Sequence, residues 1–104
     1  MIKFHLKKRI DIVVEAPLMR TLTGILDQVQ VPGYSVLPIV EGRGMRNVWS
    51  SEGQISDAAN MMALLCVVDT EHADKVVDAV FGAIRDQIGF LTMSDVFVLR
   101  PERF

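Results

Sequence analysis

The first third of the chain changes from a strand pattern to a helix pattern. Ile10, Ile12 and Val14 occupy alternate positions, a period of two that is typical of a half-buried β-strand over residues 10–15. Pro17 follows and suits the first turn of a helix. Apolar residues then recur at the spacing of an amphipathic helix, at Leu18, Leu22, Ile25, Leu26 and Val29. We therefore predict a strand followed by a helix that ends before Pro32-Gly33.

The remaining elements follow from the same patterns. A second strand is predicted over residues 34–41, and Pro38 within it indicates an edge strand because proline cannot donate to a ladder. The apolar run at 58–68 predicts a central strand that is buried on both faces. Thr70 is the predicted N-cap of a second helix, with Glu71 in its first turn. Its apolar stripe comprises Ala73, Val76, Val77, Val80, Phe81 and Ile84. Gly89 breaks the chain before a last strand at 96–99.

The order β-α-β-β-α-β predicts a ferredoxin-like α+β fold, in which a four-stranded antiparallel sheet carries both helices on one face. Half of the residues are hydrophobic, and one chain would leave the other sheet face open to water. Three copies that close sheet against sheet would cover that face, so we expect a homotrimer.

Composition excludes several classes of protein. The 11 Lys and Arg against 13 Asp and Glu give a net charge of −2, which argues against a nucleic-acid-coating protein. One cysteine, Cys66, excludes an internal disulfide, and we expect it to be a buried core residue. No apolar run reaches the roughly 18 residues of a membrane span. The lysine-rich start is unlike a signal peptide, so we expect a cytoplasmic protein.

The polar segment 42–57 is the strongest candidate for a binding site. Gly42 and Gly44 free the backbone for close approach to a ligand, while Arg43 and Arg46 offer planar guanidinium groups for phosphate oxygens. Connections of this length are usually functional or mobile. From the residues alone, a solvated loop whose arginines bind nothing specific is the simpler interpretation, because surface exposure is usual for Arg.

Several segments together resemble the PII signal-transduction superfamily. They are Gly33-Tyr34-Ser35-Val36, the string GRGMRNVWSSEG at 42–53, Ser56-Asp57, and Gly89 with the strand after it. The likeness runs from about residue 8 to 99 and is greater to the PII-like proteins of inorganic-carbon uptake, the bicarbonate-transporter and carboxysome-associated type, than to the nitrogen-regulatory type. It implies one PII-like domain over 1–104, a T-loop at about 42–57, and a homotrimer with adenine nucleotides in the clefts between subunits.

The resemblance also assigns roles to residues. Gly33, Tyr34 and Ser35 would line the adenine and ribose. Arg43 and Arg46, with Gly42 and Gly44, would hold phosphates at the base of the T-loop. The turn that corresponds to the B-loop would supply backbone groups from Gly89, Phe90, Leu91 and Thr92, and charge would come from Arg100 and Arg103. The T-loop would contact a partner, and Ser50 and Ser51 lie in that loop. Trp49 is a lone tryptophan in a polar segment, so it either anchors this contact or folds back onto its own or the neighbouring subunit.

The B-loop departs from the nitrogen-regulatory pattern, because residues 87–95 hold one glycine and no lysine. Fewer fixed cations suit a ligand with fewer phosphates, so ADP, AMP or cyclic AMP would compete well with ATP. Bicarbonate is a candidate co-ligand. The implied partner is a membrane transporter or a carbon-metabolism protein, which would bring the protein to the membrane or the carboxysome.

Three alternatives stay open at this stage. A small phosphohydrolase on the same fold would use Arg43, Arg46, Ser94 and Asp95, although nothing in the sequence pairs them. A nitrogen-type PII regulator is the second. The third is a metal-linked relative similar to copper-tolerance trimers, against which the sequence offers no clustered His/Cys set. We expect no catalytic residue and no metal site, and we expect His72 to be a surface residue.

Overall fold

The computed structural model describes residues 2–43, 48–50 and 60–101. Among them it has six strands and two helices. The elements are β1 (His5–Glu15), a 3₁₀ turn (Ala16–Leu18), α1 (Met19–Gln28), β2 (Tyr34–Pro38), β3 (Glu41–Arg43), β4 (Val48–Ser50), β5 (Met61–Val68), α2 (Thr70–Ile84) and β6 (Gly89–Val98). None of the helices in the described part of the chain is long and apolar enough to cross a membrane.

The main sheet has four antiparallel strands in the order β2-β5-β1-β6. With two helices packed on one face, this arrangement confirms the predicted ferredoxin-like fold. The edge position of β2 is also confirmed, and Pro38 is the last residue of that strand. The sheet therefore has two different edges, β2 on one side and β6 on the other.

The core lies between the helices and one face of the sheet. Ile10, Ile12 and Val14 of β1 are fully buried there, as their alternation predicts. Leu22 and Leu26 of α1 are also buried. From α2 the buried residues are Ala73, Val76, Val80 and Ile84. The predicted core position of Phe81 is wrong for a single chain, because this side chain is 54% exposed on the outer side of α2.

The opposite face of the sheet is only partly covered in one chain. Val13, Leu65 and Val67 are half-buried on this open face, beside an ion pair in which Arg9 Nη2 lies 3.0 Å from Asp11 Oδ1. The central strand β5 is thus buried on its helix side and half-buried on the other. The apolar character of the open face agrees with the expectation that further copies cover it.

The first and last strands are much longer than predicted. β1 begins at His5 instead of residue 10, and β6 begins at Gly89 instead of residue 96. The two strands pair from His5↔Val98 to Val14↔Gly89. Three consecutive cations at 7–9 hide the alternation in the sequence, but carboxylates neutralise them: Lys8 pairs with Asp95 across the two strands.

Two further boundaries differ from prediction. β2 ends at Pro38 instead of residue 41, and the segment predicted to lack strands contains a short two-stranded sheet of β3 and β4. Strands of three residues are too short to show a period of two. The N-cap of α2 is Asp69, not Thr70, since Asp69 has extended backbone angles and its carbonyl accepts from the His72 N–H at 3.0 Å. The Asp69 side chain pairs with Lys7 instead of capping the helix.

Candidate functional site

Four chain segments meet at one end of the main sheet. β1 ends there, β2 ends there, and β5 and β6 begin there, as the register pairs Val14↔Gly89, Glu15↔Met61 and Pro38↔Met62 show. The polar segment that follows β2 and precedes β5 therefore leaves and re-enters the fold at the same sheet end as the turn before Gly89. The base of the predicted T-loop and the predicted B-loop lie at this common end.

The base of the polar segment is a hairpin. Gly42 pairs with Trp49 and Arg43 with Val48 in the antiparallel β3–β4 sheet. This pairing fixes the backbone on both sides of the tip of the hairpin. The predicted site residues Gly44, Arg46, Ser51 and Arg103 lie outside the described residues.

Gly89 is held against β1 more tightly than any residue with a side chain could be. Its φ is +156°, and a Cβ built on it would lie 2.3 Å from the Val13 carbonyl oxygen and 2.9 Å from Val14 Cγ1. A glycine is required here for both conformation and space. The predicted B-loop residue thus has a structural role of its own at the start of β6.

The other predicted B-loop residues form a strand, which corrects the expectation of a turn. Phe90 pairs with Val13, Leu91 with Ile12, and Thr92 with Asp11. Leu91 lies on the helix side and packs against the core, whereas Phe90 and Thr92 lie on the open face. The ladder with β1 keeps these residues extended, and the turn itself spans residues 85–88.

The residues predicted to bind adenine and ribose lie elsewhere in a single chain. Gly33 precedes β2, and Tyr34 and Ser35 begin it, at the edge opposite β6. Three inter-strand spacings separate the two edges, about 14 Å. Arg100 is exposed beyond the far end of β6 and makes contacts of its own. The predicted site thus has two halves: residues 33–35 and the T-loop base follow the β2 edge, and residues 89–92 lie on the β6 edge. One chain does not bring these two halves together.

An open cavity of about 310 Å³ lies at the T-loop end of the sheet, lined by Glu15, Pro17, Leu18 and Gln87. It offers one carboxylate and one amide beside an apolar wall. Sequence reasoning assigned no binding role to Glu15 or Gln87. Their positions in the sequence could have indicated them, because Glu15 ends the first strand and Gln87 lies two residues before Gly89, where the last strand begins.

Two residues with reactive side chains serve the fold. Cys66 is buried, and burial, with a smaller contribution from Asp11, raises the pKa of its thiol to about 11. The thiol is thus protonated and unreactive at neutral pH. His72 is half-buried instead of being a surface residue, and its Nε2 lies 2.7 Å from the Val29 carbonyl oxygen. Within residues 2–43, 48–50 and 60–101, no group of three or more His, Cys, Asp or Glu is placed to hold a metal ion.

Comparison with known proteins identifies the fold and the family. The family model for nitrogen regulatory protein P-II matches residues 7–103. No curated protein matches the sequence of the chain. Among solved structures, the chain is similar to CPII of Thiomonas intermedia K12, a nitrogen regulatory PII-like protein, bound to ADP, AMP and bicarbonate. The TM-score is 0.87 at 20% identity, covering 100% of this chain and 98% of that one.

Two further structures support the same fold. CPII bound to ADP and bicarbonate gives a TM-score of 0.83 at 23% identity, covering 100% of this chain and 99% of that one. A PII-like signalling protein of Thermus thermophilus gives 0.78 at 19% identity, covering 98% of each chain. With a family match over nearly its whole length, the chain belongs to the P-II family.

Proposed function

We propose that this chain is a trimeric PII-like signalling protein that binds an adenine nucleotide between neighbouring subunits and signals its occupancy through a T-loop at 42–57. The observation that carries the proposal is the position of the two predicted half-sites on opposite edges of one sheet. A single ligand reaches both halves only if the β2 edge of one copy lies beside the β6 edge of the next. A ring of three identical copies provides three such junctions.

The proposed ligand chemistry follows from the residues at the T-loop end. Arg43 and Arg46 bind phosphate oxygens at the hairpin, with Gly42 and Gly44 allowing close approach of the backbone. Gly89, Phe90, Leu91 and Thr92 provide the adjoining wall from β6. Gly33, Tyr34 and Ser35 contact the base and ribose from the start of β2, and Arg103 adds charge. Arg100 lies beyond the far end of β6 and is not part of this group. The ADP and AMP bound by CPII support a nucleotide with fewer phosphates than ATP.

The mechanism we propose is ordering of the T-loop by the nucleotide. A ligand can shift the equilibrium between the disordered and the ordered T-loop only by the difference in its affinity for the two states. The phosphate contacts of Arg43 and Arg46 provide that difference, so they couple nucleotide binding to the loop. Trp49, Ser50 and Ser51 then contact the partner, which we propose is a transporter or enzyme of inorganic-carbon metabolism. Bicarbonate is the proposed co-ligand, supported by its presence in the CPII structures. The protein would act in the cytoplasm.

The geometry does not favour a phosphohydrolase. Asp95 is paired with Lys8 and lies six residues along β6 from Gly89, about 20 Å away. Ser94 lies beside it. Both are therefore remote from the hairpin that carries Arg43. We propose a non-catalytic role.

The test combines a ligand panel with one variant. We expect ADP and AMP to raise the melting temperature of the purified protein more than ATP, with bicarbonate adding to the effect, because ligands that bind the native state stabilise it by mass action. Arg46→Ala should weaken ADP binding by about tenfold or more through loss of a charge-assisted contact.

The matched control is Lys75→Ala, which removes an exposed cation from α2 and should leave the ADP affinity unchanged. Isothermal titration calorimetry gives the affinities, and size-exclusion chromatography with light scattering reports the assembly. Equal ADP affinity in Arg46→Ala and the wild type would contradict the proposed site. Release of phosphate from ATP would favour the hydrolase instead.

A further inference from the structure

The open cavity of about 310 Å³ at the T-loop end of the sheet lies beside the start of β6. Glu15 lines this cavity and directly follows Val14, the register partner of Gly89. Paired strands are about 5 Å apart, so Glu15 lies about one inter-strand spacing from the start of β6. Gln87, which also lines the cavity, belongs to the turn before Gly89. The cavity thus adjoins the part of β6 that forms one wall of the proposed nucleotide cleft.

Glu15 brings a negative charge to this cavity, and no described cation neutralises it. The residue is half-buried at the end of β1. The other described lining residues, Pro17, Leu18 and Gln87, are uncharged. Within the described part of the chain, the ion pairs are Lys7 with Asp69, Lys8 with Asp95 and Arg9 with Asp11, and none of them includes Glu15. A group that enters the cavity therefore meets an unpaired carboxylate.

Other charged side chains at this end of the sheet face solvent. Arg85 and Asp86 occupy the turn before Gly89, Arg20 lies in the first turn of α1, and Glu41 begins β3. All four residues are exposed, and none of them lines the cavity. Water and salt screen exposed charges more than half-buried ones. Among these residues, Glu15 therefore has the strongest electrostatic effect on the contents of the cavity.

The proposed nucleotide has one direction along β2. Its base and ribose contacts lie at residues 33–35, where β2 begins, and its phosphate contacts lie at the hairpin that follows Pro38. Tyr34 and Pro38 are four residues apart, about 13 Å along a strand. Each additional phosphate therefore lies farther from the base and closer to the T-loop end. In the shared cleft, the copy that supplies the β6 wall also supplies Glu15 at this end.

We propose that Glu15 is a specificity-determining residue, which disfavours a nucleotide with a third phosphate. Its carboxylate repels the phosphate chain, and the repulsion is largest for ATP, because ATP carries the most negative charge and extends farthest toward the T-loop end. Discrimination between ligands often comes from such a repulsive group as well as from attractive contacts. The inference rests on the proposed nucleotide cleft, and it assigns the preference for ADP and AMP to one side chain.

The test removes the charge and keeps the size of the side chain. We expect Glu15→Gln to lower the ratio of the ATP Kd to the ADP Kd by about threefold to tenfold, since one source of repulsion is lost. The AMP affinity should change least. Isothermal titration calorimetry in buffer with EDTA measures all three nucleotides without divalent cations. The matched control is Glu71→Gln, which removes an exposed carboxylate at the start of α2, at the other end of the sheet, and should keep the wild-type ratio.

Two further measurements separate charge from shape. Glu15→Asp keeps the carboxylate and should retain a preference for ADP close to that of the wild type. Raising the NaCl concentration should reduce the difference between Glu15→Gln and the wild type, because salt screens electrostatic repulsion. A difference that came only from altered packing would persist at high salt and would contradict the proposal. Circular dichroism confirms that each variant is folded.

The outcomes distinguish this inference from the proposed function. If Glu15→Gln binds ADP but keeps the wild-type ratio of ATP to ADP affinities, the role of Glu15 is wrong and the nucleotide site stands. If the wild type binds none of the three nucleotides, the proposed function fails and the inference fails with it. If Mg²⁺ makes ATP bind more tightly to the wild type than to Glu15→Gln, the carboxylate holds a cation for the phosphates, and repulsion is the wrong account.

Discussion

Gly89 shows how a single residue fixes the start of a strand at the candidate site. From the sequence, Gly89 was interpreted as a break in the chain. This interpretation predicted the position of the turn, but it did not predict that a strand begins at Gly89 itself. The reason lies in a contact between distant segments, since the Val13 carbonyl leaves no room for a Cβ at Gly89. Such a contact cannot be inferred from neighbouring residues.

We predict that Gly89→Ala lowers the free energy of unfolding by about 2 kcal/mol or more, because the Cβ would clash with backbone and the positive φ is strained. Gly24→Ala is the control. A Cβ there meets nothing within 4 Å, so helix propensity should raise stability by up to about 1 kcal/mol. Urea denaturation measures both changes. A Gly89→Ala variant as stable as the wild type would show that β6 begins differently.

Cys66 provides a prediction about pH. Burial raises the pKa of the folded thiol from 9.0 to about 11, so the folded state keeps its proton while the unfolded state loses it. The thiol's contribution to stability is therefore fully present below pH 9 and is lost as the pH rises toward 11. Relative to Cys66→Ala, the wild type should lose up to about 2 kcal/mol over this range. Parallel curves for the two proteins from pH 8 to 11 would refute this.

At the scale of elements, the apolar periodicity predicted both helices and the order of the main strands. It failed where interactions between strands determine the structure. The cations at 7–9 are unfavourable for a buried strand until Asp69, Asp95 and Asp11 neutralise them. The β3–β4 hairpin was missed because strands of three residues carry too few positions for a period.

The end of α1 has a well-defined capping geometry that the sequence did not indicate. Gln30 has a φ of +61°, the Val31 N–H donates to the Leu26 carbonyl at 3.0 Å, and the Gln30 N–H donates to the Asp27 carbonyl at 3.1 Å. These two bonds form a Schellman motif, in which glycine usually occupies the left-handed position. Here glutamine occupies it, at a cost in conformational energy.

We predict that Gln30→Gly raises the free energy of unfolding by about 1 kcal/mol, because glycine adopts the left-handed conformation without steric cost. Gln28→Gly is the matched control, since Gln28 is the last residue of α1 and glycine there should destabilise the helix by about 0.5–1 kcal/mol. Thermal and urea denaturation of both variants measure the difference. Destabilisation by Gln30→Gly would mean that the motif does not form in solution.

At the scale of the whole molecule, the predicted binding site is not complete within one chain. The residues of the predicted site divide between β2 and β6, and the topology keeps these strands on opposite edges. Pro38 predicted the edge position of β2, because proline cannot donate to a ladder. The apolar periodicity did not show that β6 begins at Gly89 and forms the other edge. The proposed cleft therefore follows from the combination of a sequence resemblance with an observed strand order.

Mixed trimers test the shared cleft most directly. Arg46→Ala disables the half-site at the T-loop base, and Thr92→Glu places a carboxylate that repels phosphate in the half-site of β6. Each variant alone should bind ADP at least about tenfold more weakly than the wild type. When equal amounts are unfolded together and reassembled, about a quarter of the clefts receive both intact halves from different subunits.

We predict that calorimetry on the mixed trimers detects ADP binding with wild-type affinity at about one quarter of the wild-type stoichiometry. Each variant unfolded and reassembled alone serves as the control. If the mixture binds no more ADP than the separate variants while remaining trimeric, the site lies within one chain and the shared cleft is wrong.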